Sequence, residues 1–341
     1  HYTPPPHASA LHRAGGLLPA WWGEADDAVL VADDSYLTDA EWLAEHWGVT
    51  CHPVTSAPAG FIPSPWGWSR DAARQFAASG VSPQLLPDAD TLNLYRSLSH
   101  RRSSIAILRA LGVDPSEMPR EFTDAAEAVR AEQERPGCYF KSPWSSSGRG
   151  VFCAEGLGAK ALYDRAEGII HRQGSVIVEP GLHKLLDLAA LFHADCSGAV
   201  SYRGLSVFTT DISGNYGGNL VAPQPALRDM IDRYGLLGEY DRRCTQLVPI
   251  LADLTRGYSG PLGVDMMIHS DTKGHPALHP CIELNLRTTM GIAAMGIAAR
   301  TGSATPRLVT WQLSDRASRG ELLLPSRSGF SLMLLPFHPH S

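Results

Sequence analysis

The chain has 341 residues, enough for two or three packed units, since one domain usually takes ~100–200 residues. Hydrophobic residues make up 44% and charged residues 19%, a composition that folds and has no polar tract long enough to stay disordered. A formal net charge of −6 argues against a general polyanion binder and so against a nucleic-acid partner, because neutralising many phosphates takes a concentrated basic face.

In chain order, residues 28–32 read as a buried strand and 38–46 as a helix with acidic residues at its start, a βα organisation that continues to about residue 95. Residues 56–60 and 63–69 carry Pro and Gly and read as loops, with Ser69 placed to cap a helix over 71–78. Trp66 and Trp68 either close a pocket or pack beneath that loop, and packing is the commoner fate of such aromatics. A second unit begins near Ser99, with a helix over 103–111 that stops at Gly112 and another over 123–134. Short strands at 138–140 and 151–153 then flank a Ser/Gly loop. In the third unit, 175–178 and 187–194 read as strands and 236–254 as a long amphipathic helix. Apolar strands at 263–268 and 280–285 form a hairpin across the polar loop 269–279, and the apolar, Pro-bounded tail 322–336 completes a core or an interface.

The six cysteines are scattered without CxxC or CxxH spacing, so neither a zinc site nor a disulfide framework is indicated. No apolar run approaches the roughly 20 residues that span a bilayer, and the first ten residues lack the basic start and apolar core of a secretion signal. A cytoplasmic protein fits best, and the start at His1 instead of Met fits loss of upstream sequence.

Two segments carry chemistry. The loop 141–150 offers small residues whose backbone N–H groups can face an anion, three hydroxyls in Ser145, Ser146 and Ser147, and cations at Lys141 and Arg149. Phosphate is its natural guest, although Ser/Gly turns are common. Lys141 precedes the glycines and a strand follows them, the reverse of a Walker loop. The stronger segment is 281–287: side chains at every second strand position share a face, which sets Glu283, Asn285 and Arg287 in one row. Asp265 can add a carboxylate from the preceding strand. A carboxylate and an amide carbonyl suit a hard cation such as Mg²⁺, and Arg287 suits a phosphoryl oxygen. A merely solvated sheet face is the weaker reading, because both strands are otherwise apolar and Asp is depleted in strands.

In the order of these motifs, over roughly residues 95–300, the chain resembles the ATP-grasp family. The resemblance implies an α/β fold of two α+β lobes behind an N-terminal pre-ATP-grasp βα domain. It divides the chain into that domain (1–95), a small lobe with the phosphate loop (96–178), and a large lobe with the metal site and tail (179–341). It implies that Lys141, Ser145, Ser146, Ser147, Gly148, Arg149 and Gly150 meet the nucleotide phosphates, that Glu179 and Leu182 meet the adenine, and that Ile282 also contacts the nucleotide. Asp187 meets the ribose. Asp265, Glu283 and Asn285 are implied as magnesium ligands, with Arg287 and Lys141 beside the transferred phosphate.

The first basic residue of the family, commonly a lysine, falls in Ser99-His-Arg-Arg102, where Arg102 or Arg101 would take its place. Arg203, Asp211 and Asn219, in segment 202–219, stand either as acceptor contacts or as incidental polar residues of an exposed loop, while His183 and Lys184 read as surface residues. The implied cofactors are ATP and Mg²⁺, as two ions that Mn²⁺ can replace. The implied reaction activates a substrate carboxylate as an acyl phosphate and joins it to an amine, an amino acid or peptide. The partners are then small molecules, with no membrane, and a homodimer is the default assembly. Phosphotransfer on the same fold and nucleotide binding without catalysis are the alternatives.

Overall fold

The structure is a computed structural model, and it describes residues 6–145, 150–211, 214–302, 304–316 and 320–337. The loop positions Ser146, Ser147, Gly148 and Arg149 lie outside the described residues. Helix α1 (Pro6–Ala14) leads into β1 (Ala28–Leu30), α2 (Tyr36–Trp47) and β2 (His52–Val54). The two strands pair in parallel, as a βαβ crossover requires. Helices α3 (Arg70–Ala78), α4 (Ala89–Leu98) and α5 (Arg102–Ala110) follow. Ser69 caps α3 through the Ala72 N–H, and Asp88 caps α4 through that of Thr91.

The next unit is built from β3 (Arg120–Phe122), α6 (Ala125–Glu134), β4 (Tyr139–Lys141), β5 (Val151–Cys153), α7 (Ala159–Gln173) and β6 (Val176–Glu179). Its strands form a sheet in the order β3-β6-β4-β5, and α6 and α7 cover Phe122, Phe140, Val176 and Val178 with Val129, Leu162, Ala166 and Ile169.

The remaining elements are β7 (His183–Ala194), β8 (Val200–Thr210), β9 (Tyr216–Val221), α8 (Gln224–Asp232), α9 (Leu237–Leu254), β10 (Gly260–Ser270), β11 (Pro276–Asn285), α10 (Met290–Thr301), β12 (Arg307–Leu313), β13 (Glu321–Arg327) and β14 (Phe330–Pro336). An eight-stranded sheet runs β11-β10-β7-β8-β9-β12-β14-β13, with neighbouring strands antiparallel among the described residues. Strand alternation sorts its residues. Leu188, Ala190 and Phe192 of β7 and Val264, Met266 and Ile268 of β10 pack under α5, α8 and α9, so Asp187 and Asp265 point to the other face. That opposite face is covered at the far end, where Val221, Val309, Leu332 and Leu334 share a core with Ala293 and Ile297 of α10 and with Trp21, Val29 and Leu43 of the N-terminal segment.

Three readings from sequence change. The polar loop 269–279 shrinks to a turn at 271–275, because Asp271 accepts the Lys273 and His275 N–H groups and lets both strands run on. Residues 202–219 are mostly the paired strands β8 and β9 and not an open loop. Helix α10, absent from the sequence reading, is rich in Ala and Gly and nearly apolar, so it lacks the polar stripe that announces a surface helix. The tail 322–336 does complete a core, as the hairpin of β13 and β14. No described helix is long and apolar enough to cross a membrane.

Trp21 is fully buried at the junction of the N-terminal segment, α10 and the large sheet. Trp21→Ala is expected to lower stability by ~3–5 kcal/mol, read by chemical denaturation. A loss under ~1 kcal/mol would mean that this junction does not bind the segment to the sheet.

Candidate nucleotide and metal site

On the cleft face of the large sheet, Asp265 lies directly across from Glu283 and Gly263 across from Asn285. Asn285 donates through Nδ2 to Asp265 Oδ2 at 3.0 Å, and its Oδ1 accepts from Arg287 at 2.8 Å. The row is therefore a connected chain of acid, amide and guanidinium. Burial and the neighbouring Glu283 charge push the Asp265 carboxyl up to about 7, against the opposing pull of Arg287 and the Asn285 hydrogen bond, with Asp187 adding to the rise.

Arg101 answers Glu283. It is 7% exposed at the start of α5 and donates to Glu283 Oε2 at 2.8 Å, to the Ser142 carbonyl at 3.1 Å and to Ser145 Oγ at 3.0 Å. One side chain thus ties the acidic row to the base of the Ser/Gly loop. Arg102, chosen from sequence for this place, instead pairs with Glu121 at 2.8 Å and is 58% exposed. The correction has a helical cause, since consecutive residues on a helix point about 100° apart and only one of the two can face the cleft.

Across the cleft, Lys141 of β4 forms an ion pair with Glu179 of β6: Lys141 lies opposite Ile177, and Glu179, two residues further on, shares its face, so the two side chains meet diagonally across neighbouring strands. The loop that follows Lys141 is closed at its base by a Ser142 N–H to Gly150 carbonyl bond of 2.8 Å. Gly150 has φ +70, and a Cβ there would stand 2.6 Å from Ser142 Oγ, so this corner requires glycine. Trp144 anchors one arm by donating its ring N–H to the Arg96 carbonyl, with the Arg96 guanidinium 4.2 Å above its ring. From Glu179 the chain passes through Leu182 into β7, where Asp187 pairs with Lys184 at 2.9 Å and accepts from Thr210 Oγ1 at 2.6 Å. Lys184, read as a surface residue, is exposed while it makes this pair. Ile282 is partly buried in an irregular stretch of β11.

The N-terminal segment also reaches the row. Thr288 N–H donates to the Trp66 carbonyl at 2.7 Å, and a Cβ on Gly67 would sit 2.9 Å from Arg287 Cβ, so this loop presses directly against the end of the row. Trp68 packs on Phe76, while Trp66 meets Trp22 edge-on and stays 38% exposed.

The three residues expected to contact an acceptor are not gathered into one pocket. Arg203 is the extra residue of a β8 irregularity and is exposed; burial, with the Arg203 charge adding, holds the neighbouring His193 imidazole below its ordinary pKa. Asp211 caps the turn after β8 by accepting from Asn215, about 25 Å along the strand from Arg203. Asn219 is buried and bonded to Tyr216, Ser206 and the Val207 carbonyl. All three satisfy local sheet and turn geometry, which the polar look of the sequence did not distinguish from a pocket.

No protein-family model matches this chain and no curated protein matches it in sequence, but solved structures match its fold. N5-carboxyaminoimidazole synthetase from Staphylococcus aureus aligns with a TM-score of 0.52 and 11% identity over 94% of this chain and 90% of that one. Its complex with ADP aligns at 0.51 and 13%, over 88% and 80%. The chain has the ATP-grasp fold. A biotin carboxylase from Campylobacter jejuni aligns at 0.48 and 14% over 71% of this chain, and the chain spans only 64% of that protein.

The donor set fits a hard divalent ion. It offers two carboxylates and an amide oxygen, and among the described residues no group of three or more His, Cys, Asp or Glu forms a cage. Magnesium is typically held by one or two carboxylates with waters and substrate phosphates, so a shared site of this kind suits it.

Because the folded protein holds the Asp265 carboxyl up at about 7, its ionisation disfavours the metal-free fold. Stability is lost as pH rises from the unfolded carboxyl value near 4 towards 7. Asp265→Asn removes this term, so the melting temperature of the metal-free variant should gain on the wild type between pH 5 and pH 8. A difference that stays constant with pH would remove the strained carboxyl from the account.

Proposed function

We propose that the chain is an ATP-dependent ligase that activates a substrate carboxylate as an acyl phosphate and joins it to an amine, an amino acid or peptide, releasing ADP and phosphate. The observation that carries this reading is the connected row Asp265, Glu283, Asn285 and Arg287 facing Arg101, Lys141 and Ser145 across one cleft. Asp265, Glu283 and Asn285 would hold Mg²⁺, which supplies charge neutralisation where a carboxylate approaches a triphosphate.

In this reading Glu179 and Leu182 face the base and Asp187 the ribose. Lys141 sits beside the phosphates, with Ser145 to Gly150 folding over them. Nucleotide entry exchanges the Lys141–Glu179 and Arg101–Glu283 ion pairs for contacts to phosphate oxygens, so the site carries its cations in place before substrate arrives. Arg287, fixed by Asn285 and by the Thr288 carbonyl at 3.2 Å, holds positive charge near the transferred phosphoryl group. The chemistry needs no side-chain nucleophile: the carboxylate oxygen attacks the γ-phosphorus, ADP leaves, and the amine then displaces phosphate from the acyl carbon. The loop over the phosphates keeps water from the acyl phosphate.

Protein supplied with ATP, Mg²⁺ and pooled carboxylates and amines should release ADP and yield a product with the mass of an amide. A stable phosphorylated product would favour phosphotransfer instead, and no ADP from broad pools would contradict the ligase reading. Glu283→Ala should reduce turnover by more than the ~10–100-fold typical of residues that only support a metal ligand. An unchanged rate would take Glu283 out of the site.

A further inference from the structure

The side chain of His279 is 7% exposed, and its Nδ1 is buried without a hydrogen-bond partner. Buried polar atoms in folded proteins are nearly always paired, so an orphan of this kind asks for a partner the isolated chain does not supply.

Strand register locates the orphan. His279 on β11 lies opposite Met267 on β10, and Met267 lies opposite Asp187 on β7. Val264, Met266 and Ile268 are in the core beneath the sheet, so Asp265, Met267 and His269 alternate onto the cleft face. Met267 is about 7 Å along β10 from Asp265, in the direction of Lys184 and His183, where the chain arrives from Glu179. A nucleotide with its phosphates over Asp265 and Glu283 and its ribose at Asp187 would lay its base across Met267 and His279.

The charge state of the ring agrees. Burial, with the His269 and Lys141 charges adding, pushes His279 down to about 4, so at neutral pH the imidazole is uncharged and carries one donor and one acceptor nitrogen. Such a group is a poor partner for phosphate and a good one for the mixed donor and acceptor edge of a purine.

We propose that His279 is a specificity-determining residue of the nucleotide pocket, its imidazole hydrogen-bonding the polar edge of the bound base. The proposal rests on the ATP-binding reading above. Calorimetric titration of the full chain with non-hydrolysable ATP and GTP analogues tests it. The wild type should prefer the ATP analogue. His279→Leu should weaken that binding about tenfold, the equivalent of one hydrogen bond, and narrow the ratio between the two analogues, while His279→Gln should restore part of both. Binding within twofold of wild type, with the ratio intact, would overturn the role of His279 and leave nucleotide binding standing. A wild type that binds neither analogue would overturn the ATP-binding reading itself. Should the Leu variant not fold, ¹⁵N-histidine spectra of the wild type decide: the His279 ring signals move on adding the ATP analogue, and signals that stay put contradict the proposal.

Discussion

Asp265 and Glu283 are held directly across from each other on two strands whose other residues are mostly apolar. Two carboxylates that close repel, and partial burial raises the cost of each charge. The rest of the cleft is arranged around that problem. Arg101 reaches in from α5 to Glu283, Arg287 approaches from beyond β11, and Asn285 stands between Asp265 and Arg287, bonding both. The side chains that offset the acidic pair in the free chain are those that the proposed function assigns to a triphosphate and its metal ions, so under that proposal nucleotide binding and a stable unliganded fold share one set of contacts.

Each of these contacts depends on a packed element. Arg101 can reach the row because Ile107 and Leu108 of α5 are buried under the large sheet, which fixes the helix start beside the Ser/Gly loop. Arg287 is held from outside by the Gly67 backbone of the N-terminal segment, and that segment is itself fixed by a core shared with α10. The N-terminal residues thus act on the site through packing, and Trp66 lies half-exposed at the edge of Arg287 and Thr288.

Much of this was legible in the sequence where a regular period was at work. The every-second-residue pattern of 283, 285 and 287 gave the row, Ser69 gave a helix start, and the βα pattern of the first segment gave a parallel strand pair. What escaped had no periodic signal. The choice between Arg101 and Arg102 turns on a helix phase that two adjacent arginines do not reveal. Asn219 and Asp211 look like pocket residues in sequence, yet their partners Ser206 and Asn215 become neighbours only once β8 and β9 pair and the turn between them closes. Helix α10 was hidden by an Ala- and Gly-rich composition with little polar contrast, because it is packed between the N-terminal segment and the sheet.

The most direct test of this account is a crystal structure grown with a non-hydrolysable ATP analogue and Mn²⁺, read by anomalous scattering. Manganese is expected within about 2.0–2.3 Å of oxygens from Asp265, Glu283 and Asn285, with the phosphate tail between that row and Lys141. Metal bound elsewhere, or a cleft at Lys141 that stays empty at saturating nucleotide, would contradict it.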